Sequence, residues 1–165
     1  MKYTEYMPRR ATIHSAGYDF LLPEDVEIKP KVWTTIDLGV KIEDKDIVLG
    51  GQPEKAIEDW VMFLMPRSSL ARDYGFRLKN TVGVIDADFR GSIQIDVTVD
   101  KPLSLNKGEK ICQGIITPFY RFEGEIQPVT VRGEGGFGST DVKPEPEVAE
   151  SPVPEIIEDK PDSEE

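Results

Sequence analysis

Ile93, Ile95, Val97 and Val99 alternate with Gln94, Asp96 and Thr98, a period of two that predicts a half-buried strand. Val32 to Ile42 reads the same way, with Val32, Ile36, Leu38, Val40 and Ile42 on one face. Trp60 to Met65 is apolar on both faces and predicts a central strand. Ile111 to Tyr120 predicts another, interrupted by Gly114 and Pro118. One short helix is expected, with Ser68 or Ser69 as N-cap, Leu70 to Asp73 as its body and Gly75 as its stop. Gly50 to Asp59 is polar and turn-rich and reads as an exposed loop or a short excursion between strands. The pattern predicts an all-β domain, closest to a distorted jelly roll or β-barrel with one short helix.

A chain of 165 residues with 38% hydrophobic content is expected to build one domain. Its net charge of −11 is unevenly placed. From Asp141 onward ten acidic residues and two lysines carry −8, which leaves −3 for everything before. A nearly neutral body argues against a nucleic acid partner and restricts any anionic ligand to a local cluster of arginine and lysine. Residues 142–165, with five prolines and many glutamates, are too poor in apolar groups to offset their ordering entropy, and a disordered tail is expected. Its apolar cluster, Val153, Ile156 and Ile157, reads as a solubilising tail or as a docking motif for a protein partner. The one cysteine, Cys112, lies in the apolar run ICQGII and is expected to be a buried hydrophobe. The one histidine, His14, has no companion for a zinc site or a triad. Neither a signal peptide nor a membrane span is expected, and a cytoplasmic location fits.

Several segments carry candidate chemistry. RGEGGFGST, Arg132 to Thr140, has four glycines in nine residues, one arginine, two hydroxyls and one aromatic, Phe137. Glycine keeps a backbone mobile and lets it approach a ligand closely, while arginine, N–H groups and hydroxyls suit phosphate oxygens. Taken alone it also reads as a linker. PRSSLA, Pro66 to Ala71, sets Arg67, Ser68 and Ser69 at a helix start, which suits an anion or is an ordinary cap. GVIDADFRG, Gly83 to Gly91, brings Val84 and Ile85 into a turn holding Asp86, Asp88 and Phe89. Asp86 then sits at the edge of a core, where a fixed carboxylate can orient and deprotonate water. Asn80 offers the amide donor and acceptor that suit a pyrimidine edge. Gln113 is a core-edge amide or a phosphate contact.

In this order the segments resemble the five motifs of the trimeric dUTP pyrophosphatases (dUTPases). AGYDFLLPEDVEI is similar to the first, PRSSLA to the second, GVIDADFRGSIQI to the third, GEKICQGIITPFY to the fourth and RGEGGFGST to the fifth. The resemblance spans Ala16 to Thr140. It implies a jelly-roll homotrimer with sites between subunits, and hydrolysis of dUTP to dUMP and pyrophosphate with Mg2+ on the triphosphate. Asp86 matches the aspartate that activates water for attack on the α-phosphorus. Arg67, Ser68 and Gln113 match phosphate contacts, and Ser69 and Gly138 fall among the implied substrate-binding residues. Arg132, Ser139 and Thr140 match the group that grips the γ-phosphate, and Phe137 the aromatic that closes over uracil. Asn80, Val84, Asp88 and Phe89 lie in the segment matching the base-selecting hairpin. Asp19 matches a first-motif aspartate that supports the metal's water shell in some members and is otherwise structural. The resemblance also implies that the arm, residues 132–140, crosses from the domain 1–131 to a neighbouring subunit.

The chain departs from the family pattern in three places. Phe89 stands where tyrosine is usual, the loop at 50–59 is long, and the tail 141–165 is added. Two other readings compete: a dCTP deaminase or bifunctional enzyme, with Asp96 at the position of that family's glutamate, and a dUTPase-like fold kept for regulatory binding. An acidic tail joined to an arm that grips an anion should oppose closure while screening is weak. Deleting residues 142–165 is therefore expected to lower KM for dUTP at low ionic strength, and an unchanged KM overturns this.

Overall fold

A computed structural model describes residues 7–43, 46, 48–49, 52–56, 59–126 and 131–136. Among the described residues the elements are twelve strands and one helix: β1 (Arg9–Arg10), β2 (Tyr18–Leu21), β3 (Val26–Ile28), β4 (Thr34–Asp37), β5 (Val48–Leu49), β6 (Gln52–Ala56), β7 (Trp60–Pro66), α1 (Ser68–Tyr74), β8 (Arg77–Leu78), β9 (Gly83–Asp86), β10 (Gln94–Thr98), β11 (Leu103–Leu105) and β12 (Lys110–Pro118). A five-stranded sheet runs β1-β2-β12-β7-β9 and a three-stranded sheet runs β4-β10-β8. β11 pairs with β3, and β5 with β6. Every named ladder is antiparallel.

Both larger sheets feed one core. The five-stranded sheet contributes Phe20, Trp60, Met62, Leu64, Ile111 and Cys112, and the three-stranded sheet Ile36, Leu78, Ile95 and Val97. The double-sided apolar run is, as expected, an interior strand: β7 lies between β12 and β9, with Trp60, Met62 and Leu64 buried on one face and the other face half-buried. β12 continues through Gly114 and stops at Pro118. Its glycine is a packing requirement, because a Cβ there would lie 2.9 Å from both Met62 Sδ and Phe20 Cε2.

The run Val32 to Ile42 is not one strand. β4 covers only Thr34–Asp37, and Val32 is 50% exposed. Lys31 takes a positive φ of 62° and turns the chain before the alternation begins. At the other end Gly39, with φ 66°, inserts a bend. Leu38 N–H still donates to Ile93 O at 2.9 Å, and Ile93 N–H to Val40 O at 2.9 Å. Leu38, Val40 and Ile42 are therefore buried without a regular ladder. The polar segment 50–59 holds β6, which pairs back on β5 as a ribbon. The helix starts at Ser68 with Arg67 as N-cap and no side-chain cap, so neither serine performs the capping expected of it. It ends at Gly75 in the left-handed region, as the sequence predicts. Among the described residues no helix is long and apolar enough to cross a membrane.

The far end of α1 is tied to the loop after β10. Arg77 Nη1 donates to Asp100 Oδ2 at 3.0 Å, and Lys31 pairs with Asp100 Oδ1. The Arg77 guanidinium, then Lys31, hold the Asp100 carboxyl down at about 2. A carboxyl depressed on folding stabilises above its unfolded value near 4, and that contribution fades as pH falls toward 2. Asp100→Asn is thus expected to be less stable than the unsubstituted chain at neutral pH, with the gap closing between pH ~4 and ~2. Urea midpoints across that range check it; a constant gap means the pair does not act through charge.

Candidate active site

Two polar clusters lie at opposite ends of β7. The first is built where β2, β12 and the start of α1 meet. Asp19 on β2 is buried, and both its oxygens face cations: Arg67 Nε lies 3.2 Å from Oδ1 and Lys110 Nζ 2.6 Å from Oδ2. Arg67 Nη1 also reaches Lys110 O at 3.5 Å. Gln113 is opposite Asp19 in the ladder, and its Nε2 donates to Pro66 O at 3.4 Å. Gly17 makes room for that amide, since a Cβ there would come within 2.8 Å of Gln113 Oε1. Ser68 is exposed and Ser69 half-buried on the first turn of α1. Two cations against one carboxylate leave this cluster with a surplus of one positive charge.

The second cluster is the turn after β9. Phe89 N–H donates to Asp86 O at 3.1 Å and closes it. Arg132 crosses above: its N–H donates to Asp88 Oδ2 at 2.8 Å, its Nη1 pairs with Asp86 Oδ2, and its guanidinium lies 5.6 Å from the centre of the Phe89 ring. The Asp86 carboxylate remains 44% exposed. Gly91 carries no side chain where a Cβ would stand 2.6 Å from Phe89 Cζ and 3.1 Å from Glu134 O. Beside this turn opens a cavity of about 750 Å³, lined among others by Asn80, Val84, Phe89, Asp96 and Arg132. Thr81, between the lining residues Asn80 and Val82, is a β-branched residue at φ 64°, a conformation costing on the order of 1–3 kcal/mol.

The spacing of the clusters is set by the ladder. Asp86 is opposite Val61 on β7, whereas Arg67 follows Pro66 at the other end of the same strand. Six residues of extended chain separate them by roughly 20 Å.

The dUTPase family model matches residues 4–141. The chain belongs to the dUTPase family. It is 32% identical over 152 residues to a deoxyuridine 5'-triphosphate nucleotidohydrolase of Cutibacterium acnes, covering 87% of this chain and 91% of that protein. It is 35% identical over 143 residues to the enzyme of the same name from Dinoroseobacter shibae, covering 81% and 86%. The dUTPase structure from Streptococcus mutans superposes with a TM-score of 0.59 at 31% identity, over 72% of this chain and 90% of that one. The mostly-β architecture with one short helix is that of the dUTPase fold.

Against the family's five motifs, the structure gathers Asp19, Arg67, Ser68, Ser69 and Gln113 at one end of β7, and Asn80, Val84, Asp86, Asp88, Phe89 and Arg132 at the other. Phe137, Gly138, Ser139 and Thr140 lie outside the described residues, as does the tail 141–165. Asp19 has two cations as neighbours, and no group of three or more His, Cys, Asp or Glu among the described residues could hold a metal. The donor set does not fit a magnesium ion on the protein itself. Sequence reasoning missed Lys110, the second cation on Asp19; the visible signal was its place in GEKICQG, three residues before Gln113. It also missed Lys41, which pairs with Glu134 at 2.9 Å and has no local motif. Cys112 is buried as expected, and burial, with Asp19 nearby, pushes its thiol up to about 12.

Removing the carboxylate shared by Arg67 and Lys110 leaves both cations without their main partner. Asp19→Ala is expected to destabilise the fold by about 1–3 kcal/mol in urea unfolding. A loss under ~0.5 kcal/mol places the cluster with surface ion pairs.

Proposed function

We propose that this chain hydrolyses dUTP to dUMP and pyrophosphate in sites shared between protomers of a homo-oligomer, a trimer as the family resemblance implies. The observation that carries it is the separation of the two clusters. A nucleotide whose α-phosphorus lies at Asp86 cannot extend its phosphates roughly 20 Å to Arg67 and Lys110 of the same chain. A site using both ends takes them from different protomers. An apolar run after β12 supports such an assembly: Tyr120, Phe122 and Ile126 are 94%, 89% and 95% exposed in the single chain.

In this reading the cavity beside Asn80 and Val84 receives the base, and the Phe89 ring walls the sugar. Asp86 keeps Oδ1 for a water, whose proton it takes as the water oxygen attacks the α-phosphorus and the bond to the bridging oxygen breaks. A carboxylate is a weak base, so most of the barrier lowering falls to positioning and to charge neutralisation by Arg67, Lys110 and Arg132. Mg2+ enters as part of the substrate, bound to the triphosphate. Asp96 accepts a hydrogen bond from Thr35 Oγ1 at 2.5 Å and lies 3.7 Å from Lys79 Nζ. Both its oxygens are engaged, which disfavours a deaminase role.

Product analysis with Mg2+ and, separately, dUTP, dCTP, dTTP and UTP tests the proposal. Turnover of dUTP alone to dUMP and pyrophosphate is expected, reduced about 10²–10⁴-fold in Asp86→Asn. Deamination of dCTP, or full activity in Asp86→Asn, overturns it.

A further inference from the structure

The cavity beside Asn80 stands where the two larger sheets are joined. β8 pairs with β10 in the three-stranded sheet, and β9 pairs with β7 in the five-stranded one. Residues 79–82 alone carry the chain from one to the other. We infer that Thr81 is a positioning residue: the strained turn it centres is a stiff clip that sets how tightly the cavity holds the edge of a pyrimidine. The pyrimidine rests on the proposed function, whereas the clip does not.

Both ends of the link are committed. Lys79 N–H donates to Asp96 O at 2.9 Å, which continues the pairing with β10. Gly83 is buried opposite Leu64, and a Cβ there would lie 3.1 Å from Leu64 Cβ. The reversal therefore falls on residues 80–82. Thr81 N–H donates to Leu78 O at 3.2 Å, and Val82 N–H donates to Asn80 O at 2.6 Å. The second bond closes a three-residue turn with Thr81 at its centre, and φ 64° makes it the rare, strained hand of that turn. Glycine at 81 would meet the requirement without strain. The glycine of this stretch instead stands at 83, where close packing needs it. Thr81 is exposed, so burial of its side chain does not offset the strain.

The branched residue supplies stiffness. Its Cβ and branches leave few backbone conformations open, whereas glycine at 81 would visit both signs of φ. The cavity is lined from both sheets, by Gln94 and Asp96 of β10 and by Val84 and Ile85 of β9. Asn80 and Val82, on either side of Thr81, line it as well. A stiff link fixes the spacing of the two walls, and a loose one lets that spacing vary. Folding alone would favour glycine at 81, while a cavity of fixed width favours the strained residue.

Thr81→Gly in the full chain separates the two demands. Its urea midpoint is expected to hold or rise, while the amides of residues 79–83 exchange faster with deuterium. Its preference for dUTP over dTTP, read as Ki of dTTP against KM of dUTP, is expected to fall about tenfold, the scale on which a site senses one methyl group. Thr81→Val keeps the branch without the hydroxyl and should keep both the slow exchange and the preference. Unchanged exchange or a lowered urea midpoint in Thr81→Gly overturns the clip. Faster exchange with an unchanged preference overturns the positioning role, and so does a preference lost in Thr81→Val, which would assign it to the hydroxyl. If the unsubstituted chain turns over no dUTP, the proposed function fails, and exchange together with the urea midpoint still decides the clip.

Discussion

The length of β7 sets the distance between the two polar clusters of this protein. The strand is fixed by Trp60, Met62 and Leu64 in the core and by ladders on both sides. Its two ends therefore cannot approach each other, and neither can the groups mounted there. One end carries the Asp86 and Asp88 carboxylates, with Arg132 across them and Arg90 donating to the carbonyls of the same turn. The other carries two cations on one buried aspartate, a surplus of one positive charge. A rigid spacer thus keeps the Asp86 turn and the Arg67–Lys110 cations from meeting within a chain.

In the proposed oligomer, assembly turns that separation into a site: the cationic end of one protomer meets the Asp86 turn of another, and the triphosphate lies between them. Arg67 and Lys110 are held by Asp19 before any ligand arrives, so little reorganisation remains when charge develops on the phosphates. The acidic tail stands outside this balance and adds −8 beyond the arm.

Much of the fold was legible because local pattern and tertiary structure agree. The alternation of Ile93 to Val99, the double-sided run of β7 and the glycine stop of α1 all report burial and backbone geometry fixed by neighbouring residues. The run Val32 to Ile42 misled because alternation reports which side chains are buried, not whether the backbone stays in a ladder. Leu38, Val40 and Ile42 are buried across a bend at Gly39 that only contacts with Ile93 reveal. Chemical groups named by motif, such as Asp86, Arg67 and Gln113, could be found in the sequence, but their partners could not. Lys110 on Asp19 and Lys41 on Glu134 are joined across 91 and 93 residues, and no local spacing encodes such pairs.

Gly91 gives the third motif a different weighting from the one its aromatic residue suggests. The missing Cβ leaves the space into which Phe89 leans and past which the carbonyl of Glu134 runs. Exchanging phenylalanine for tyrosine at 89 changes one distal atom of a ring that keeps its place. Adding a single carbon at 91 displaces the ring and the arm root together. The turn thus accommodates an added hydroxyl at 89 more readily than an added methyl at 91, so what it must preserve is an empty volume.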